Sequence, residues 1–453
     1  MLILRASNAT FILSFGSGFH LINLKYIERN FGLKVTLNSI HPNKLKSLDR
    51  ASYESNPLNS RTQSSKAVDV YNLNLDSERE IVYAVTGLSN VPEFGEYISG
   101  RDALTMNVET NLPDIAKILS LALDKYKAKI PEEFEWVDNI NEVKDLVLQS
   151  SLDAQVDEFL DKGDYSSFWL GEPEIVDWED QIGYSFNLYP RTPRHTTLSL
   201  EHYISHLDGD DLNIDSMKNH TVHVNDSAYN SMKKWSVYRC LYGEIDYKGS
   251  KYILRNGIWY KIDSNFVNDI DNYLTKLDDY DINLPIYKHD KEFDYNKTAS
   301  KGNILFMDQK TIQIGGVYDK VEHCDLIKDG KEFIHVKMYR SSSTLSHLFS
   351  QGLVSAEAFV GDAEYRHKLN DKLDDSIKLA NPDNRPTSSD YSIIYAIATK
   401  KNIPIELPFF SKITLKNSLK KLKTLGYNVS LIKINIDEGF LKTKRYPKKK
   451  KRA

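Results

Sequence analysis

A mixed α/β fold is the class this sequence predicts, and three features carry the prediction. Short apolar or alternating runs rich in β-branched and aromatic residues recur between longer stretches of helical periodicity. Residues 234–262 alternate aromatic and polar side chains and are punctuated at Lys248-Gly249-Ser250 and Asn256-Gly257, the pattern of a β-meander. The segment DYSIIYAIAT to VSLIKIN runs strand, loop, helix, strand, the closure expected of a mixed sheet. At 453 residues the chain exceeds what one hydrophobic core supports. The expected organisation is an N-terminal α/β domain over 1–180, a middle segment with the meander over 181–284, a mixed-sheet α/β domain over 285–441 and a basic tail over 442–453.

Taken in order, ATFILSFG predicts a strand, Gly16-Ser-Gly18 a break, FHLINLKYIERNFG a helix closed by Gly32, and LKVTLNSI a second strand. The Gly-x-Gly lacks the third glycine and the later acid of a dinucleotide loop, so it reads as a turn. Residues 41–80 are polar, with SNPLNSRTQSSK expected as an exposed loop, and IVYAVTGL as a strand. LPDIAKILSLALDKYKA has helical spacing with Pro113 in its first turn. A second helix is expected around NEVKDLVLQSSLDAQVDEFLDK. The acids Glu172, Glu174, Asp177, Glu179 and Asp180 read as a solvated face more readily than as a catalytic pair. His195, His202, His206, His220 and His223 lack an HExxH pattern and read as surface or core histidines. In the meander, Trp235, Tyr238, Tyr252, Trp259 and Tyr260 are expected to pack the sheet in preference to forming a base-stacking platform. An amphipathic helix, FVNDIDNYLTKLDDYDI, leads out.

Composition bounds the function. Hydrophobic residues make up 41% and charged residues 27%, enough for a large core in a globular chain. No run of eighteen apolar residues predicts a membrane helix, and the N-terminus lacks the basic start and cleavage pattern of a signal peptide. Two distant cysteines, Cys240 and Cys324, exclude a disulfide framework and a Cys-x-x-Cys zinc pair, and fit a cytoplasmic location. Net charge is −4, yet from Phe409 to Ala453 fourteen Lys or Arg face two acids. A basic end on an acidic body is what one nucleic-acid-facing surface requires, with Lys448, Lys449, Lys450, Lys451 and Arg452 as phosphate contacts.

Residues 285–351 carry the chemistry. Glu292 lies in KEFDYN, Asp325 in VEHCDLI, and Lys337 in KEFIHVKMY beyond a turn at Asp329-Gly330. Gln351 lies in the polar helix SSSTLSHLFSQGLVSAEAF. Strands beside a core rarely carry Glu322, His323 and Asp325 together without partners or a task. Carboxylates on neighbouring strands are hard ligands for Mg²⁺ or Mn²⁺, and a lysine on the next strand can stabilise negative charge developing on a phosphate. These types in this order point to metal-dependent phosphodiester hydrolysis, with Glu292, Asp325 and His335 as metal ligands and Lys337 and Gln351 completing the site.

The pattern resembles the PD-(D/E)XK nuclease superfamily over residues 285–435. The resemblance implies a restriction-endonuclease-like mixed sheet in which Glu292 is the helical acid, Asp325 the strand aspartate, Lys337 the terminal lysine and Gln351 a helical glutamine. His335-Val336-Lys337 departs from Asp/Glu-x-Lys, and imidazole suits Mn²⁺ or a transition metal better than Mg²⁺. The runs SFGSGFHL, NFGLKVTLN, VTGL, ISGRDAL, CDLI, FIHVK, STLSHLFSQGLVSAE and LPFFSKITL also resemble a sporadically distributed bacterial family of uncharacterised, defence-associated proteins. Members of that family extend further at the N-terminus, which implies an initial segment beyond this chain. The expected function is a nuclease acting on DNA or RNA in defence against mobile elements. The alternative is a non-catalytic nucleic-acid-binding or sensor protein on a degenerate nuclease fold.

Overall fold

Helix caps and turn chemistry set most element boundaries. Asn111 caps the helix Leu112–Lys127 by accepting from Asp114 N, with Pro113 in the first turn as expected. Asp145 caps Leu146–Asp161, and Asp263 caps Ser264–Leu274. Lys248 and Gly249 have positive φ, as do Asn256 and Gly257, so both predicted meander turns close as two-residue hairpins. The structure, a computed structural model, describes all residues except 24–25, 53–58, 70–79, 175–180, 208–210, 278–279, 314–319, 341 and 444–453.

The chain is a mixed α/β protein with several sheets. It divides into two compact units, one built from the described residues up to Asn141 together with Glu174, the other from the rest of the described residues from Glu142 onward. In the first, five antiparallel strands lie in the order Asn59–Val68, Ile40–Ser52, Glu80–Ser89, Tyr97–Gly100, Leu104–Met106. Leu45, Leu48, Val82, Val85 and Ile98 form its core with the helix Phe31–Leu37.

Four expectations fail here. LKVTLNSI begins inside the helix Phe31–Leu37, and of the full helix expected ahead of it the described residues show a 3-10 turn, Gly16–Leu21, over the first part. Gly32 does not stop a helix; it lets helix backbone meet the Ala103 carbonyl, since a Cβ there would lie 2.0 Å from Ala103 O. SNPLNSRTQSSK, expected as an exposed loop, forms from Asn59 onward the strand Asn59–Val68, which pairs with Ile40–Ser52; its first four residues lie outside the described residues. Cross-strand ion pairs, Arg61 with Asp49 at 2.5 Å and Arg50 with Glu80 at 2.9 Å, let polar residues occupy the outer face while Leu45, Leu48 and Ala51 are buried.

In the second unit the meander strands Leu241–Tyr247, Ser250–Arg255 and Ile258–Ile262 pair antiparallel, with Phe168–Leu170 beside the first. Trp235, Tyr238, Tyr252 and Trp259 are buried, so they pack the fold, as expected. Another five-stranded sheet of this unit follows chain order in space: Ile304–Phe306, Leu326–Lys328, Glu332–Met338, Ser392–Ala398, Asn428–Ile434. Its first two junctions are antiparallel and its last two parallel. The helix Glu292–Ala299 packs on one side, placing Tyr295 and Ala299 against Ile334, Val336 and Ile394. The helix Ser342–Gly361 packs on Glu332–Met338 and against Phe409–Thr424.

Phe409–Thr424 starts five residues before the expected Thr414. Its side chains do not cap it. Glu244 of the meander does, accepting from Phe409 N at 2.8 Å and Phe410 N at 3.1 Å. This cap joins residues 165 apart, so no local reading finds it. Glu244→Ala strands both amides and is expected to lower unfolding stability by about 1–3 kcal/mol in urea titration. An unchanged midpoint would show that the cap contributes nothing.

Candidate active site

The site begins with one backbone lock. Asp325 immediately precedes the strand Leu326–Lys328, and its N–H donates to Ile334 O at 3.0 Å. Its carbonyl accepts from both Met307 N and Asp308 N, each at 2.9 Å. That double contact brings Asp308 alongside, just before the positive-φ turn at Gln309. The Asp325 side chain turns to the neighbouring strand, where Oδ2 accepts from Val336 N at 2.6 Å.

Two helices add the remaining groups. Glu292 opens Glu292–Ala299; its Oε2 pairs with Lys337 Nζ at 2.6 Å, and its Oε1 accepts from Met338 N at 3.2 Å. One turn on, Asn296 Nδ2 donates to Asp308 Oδ2 at 2.9 Å. From Ser342–Gly361, Gln351 Nε2 donates to Glu322 Oε2 at 2.9 Å. Ligand-capable atoms of Asp308, Glu322 and Asp325 lie within 4.8 Å of one another, the one such group among the described residues. The group sits near the carboxyl end of Glu332–Met338, where the parallel part of the sheet begins, the usual place for ligands in α/β folds.

The electrostatics are unusual for a carboxylate cluster. Burial, with smaller contributions from Asp308 and Glu322, pushes Asp325 up to about 8; the Val336 N–H and Lys337 oppose the shift. Asp325 is only 8% exposed. Three carboxylates with no ring nitrogen or thiolate among them suit Mg²⁺ or Mn²⁺ better than zinc.

Of the predicted residues, the structure joins Glu292 to Lys337 and Gln351 to Glu322, and places Asp325 in the acidic group. It does not bring His335 to that group. His335 is 0% exposed, faces Tyr395 across a centroid distance of 6.0 Å, and neither ring nitrogen has a hydrogen-bond partner among the described residues. Burial pushes it down to about 3, which keeps it a neutral core side chain and corrects the reading of His335 as a metal ligand. Glu292 also departs from its expected ligand role, because both its oxygens are engaged by Lys337 and Met338. Asp308, Glu322 and Asn296 complete the arrangement. Glu322 stood out in sequence as a polar strand residue; nothing local marked the other two.

The other candidates have ordinary partners. His195 and His202 stack at 3.9 Å, His202 reaches Thr197 O, His220 meets Tyr203, and His223 meets Ser231. Glu172 accepts from Tyr184. Asp177, Glu179, Asp180 and the tail residues Lys448, Lys449, Lys450, Lys451 and Arg452 lie outside the described residues.

Residues 1–435 match DUF6119, a family of unknown function. The chain belongs to that family. The match bears out the resemblance to an uncharacterised family spanning nearly the whole sequence. No curated protein and no solved structure matches this DUF6119 chain. No helix among its described residues is long and apolar enough to cross a membrane.

The Asp325 shift makes a pH prediction. Its folded value of about 8 lies above the ordinary carboxylate value, so between about pH 4 and pH 8 the folded chain holds a proton that the unfolded chain has lost. In chelator, stability is therefore expected to fall as pH rises through that window, and Asp325→Asn to flatten the fall. Parallel pH slopes for the two proteins in urea unfolding would contradict the shift.

Proposed function

We propose that this DUF6119 chain hydrolyses phosphodiester bonds in DNA or RNA with a divalent cation, Mg²⁺ or Mn²⁺. The observation that carries the reading is the convergence of Asp308, Glu322 and Asp325 beside the Lys337–Glu292 pair. The three carboxylates hold the cation, which neutralises phosphate charge and lowers the pKa of an attacking water. Lys337 remains partly exposed and its ammonium lies close enough to lower the Asp325 pKa, so it can stabilise negative charge developing on the phosphate. Glu292 fixes the lysine, and Gln351 orients Glu322. The nuclease fold assignment and a role in bacterial defence rest on the sequence resemblances. Nucleic acid as substrate is supported by the basic end of the sequence, where Lys420, Lys421, Lys423 and Lys433 are exposed; Lys412 and Lys416 of the same stretch are buried in the fold and do not contribute.

One observation favours a second reading. The Lys337–Glu292 contact is short and Glu292 is held again by Met338 N, which is how a structural ion pair behaves. On that reading the chain binds nucleic acid without cleaving it.

Purified protein is incubated with plasmid, single-stranded DNA and RNA in Mg²⁺ or Mn²⁺. Cleavage is expected, with Asp325→Ala and Lys337→Ala each reduced by about 100-fold or more. Equal rates in all three proteins would defeat the assignment, and tight binding without cleavage would select the second reading. Removing residues 442–453 is expected to shallow the salt dependence of binding, by about one unit of slope for each phosphate that the tail neutralises. An identical slope would mean the tail touches no phosphate.

A further inference from the structure

Asn296 poses a problem that the proposed carboxylate site answers. It lies inside Glu292–Ala299 and is 0% exposed. Its Nδ2 donates to Asp308 Oδ2 at 2.9 Å, while its Oδ1 is buried with no hydrogen-bond partner among the described residues. A buried acceptor left unpaired is costly, because the water it gives up on folding is not replaced. Both heteroatoms sit on one amide carbon, so the unpaired oxygen lies one amide width from the nitrogen that touches Asp308.

Position along the helix is consistent with a task. Glu292 and Asn296 are four apart and so share one helix face. The first residue secures Lys337 and the second secures Asp308, so one helix serves both halves of the site. Asp308, Glu322 and Asp325 are acceptors when ionised and none can then donate to Oδ1; the proton that Asp325 keeps is given up when a cation binds. A cation accepts lone pairs from all of them together. A neutral amide carbonyl is also a common oxygen ligand of hard divalent cations, and it adds no further negative charge.

We infer that Asn296 Oδ1 is a direct ligand of a hard divalent cation, forming a four-residue oxygen set with Asp308, Glu322 and Asp325. The inference rests on the proposed cation site and specifies its coordination. It also distinguishes two jobs within one side chain: Nδ2 orients Asp308, and Oδ1 binds the ion.

The test uses full-length protein titrated with Mn²⁺ by calorimetry and with Tb³⁺ by luminescence, whose lifetimes in H₂O and D₂O count the waters on the bound ion. Wild type is expected to bind both ions. Asn296→Leu is expected to weaken Mn²⁺ by about tenfold or more and to leave Tb³⁺ with one additional water. Asn296→Asp keeps an oxygen at that point but loses the donor to Asp308, so its water count is expected to match wild type. Circular dichroism and thermal melts establish that each variant is folded; should Asn296→Leu not fold, the same count is made on Asn296→Ala. If wild type binds ion and the leucine or alanine variant keeps both the affinity and the water count, Asn296 is not a ligand and this inference falls alone. If wild type binds neither ion, the cation site itself fails, and the proposed function with it.

Discussion

Repulsion among three clustered carboxylates is the constraint on which this site depends. Two unit charges 4 Å apart interact by about 4 kcal/mol at an effective dielectric of 20. Among the described residues, an asparagine amide, a glutamine amide and one backbone N–H donate to Asp308, Glu322 and Asp325, and the Lys337 ammonium lies nearby, itself held by Glu292. Hydrogen bonds to charged groups contribute about 1.5–3 kcal/mol each, against that repulsion. A proton kept on Asp325, whose pKa is raised, relieves part of it, and the cation of the proposed function would relieve more.

The rest of the second unit holds that arrangement in place. The sheet brings strand ends together from segments separated in sequence, and helices on its two sides supply the polar groups that finish the site. Glu292 and Asn296 come from one side, Gln351 from the other. Close packing matters on the glutamine side. Tyr395 lies under Gly352, where a Cβ would sit 2.6 Å from the ring, and the Tyr395 hydroxyl donates to Phe349 O at 2.9 Å. A side chain at 352 would push this part of the helix away, and with it Gln351.

The same physics explains which elements are legible in the sequence. The meander turns, the capped helices and the strands Glu332–Met338 and Ser392–Ala398 carry strong local signals, and they form as expected. The described residues between 19 and 66 mislead because their structure is decided by partners. The helix Phe31–Leu37 exists where Gly32 can press against Ala103, and two polar strands exist where Arg50 and Arg61 find acids on adjacent strands. Periodicity cannot register either condition.

Residue type and order pointed to Asp325 and Lys337, because an acid and a lysine beside or within otherwise apolar strands require partners wherever the chain folds, and the resemblance carried by the same stretch added Glu292 and Gln351 from the helices. Tertiary structure decided their roles. Strand geometry and helix cover buried His335 in the core, where its ring nitrogens meet no donor or acceptor among the described residues. The Asp325 carbonyl drew in Asp308, and the helix bearing Glu292 added Asn296. These assignments turn on distances between segments, on burial and on the local dielectric, which arise only when the chain has packed.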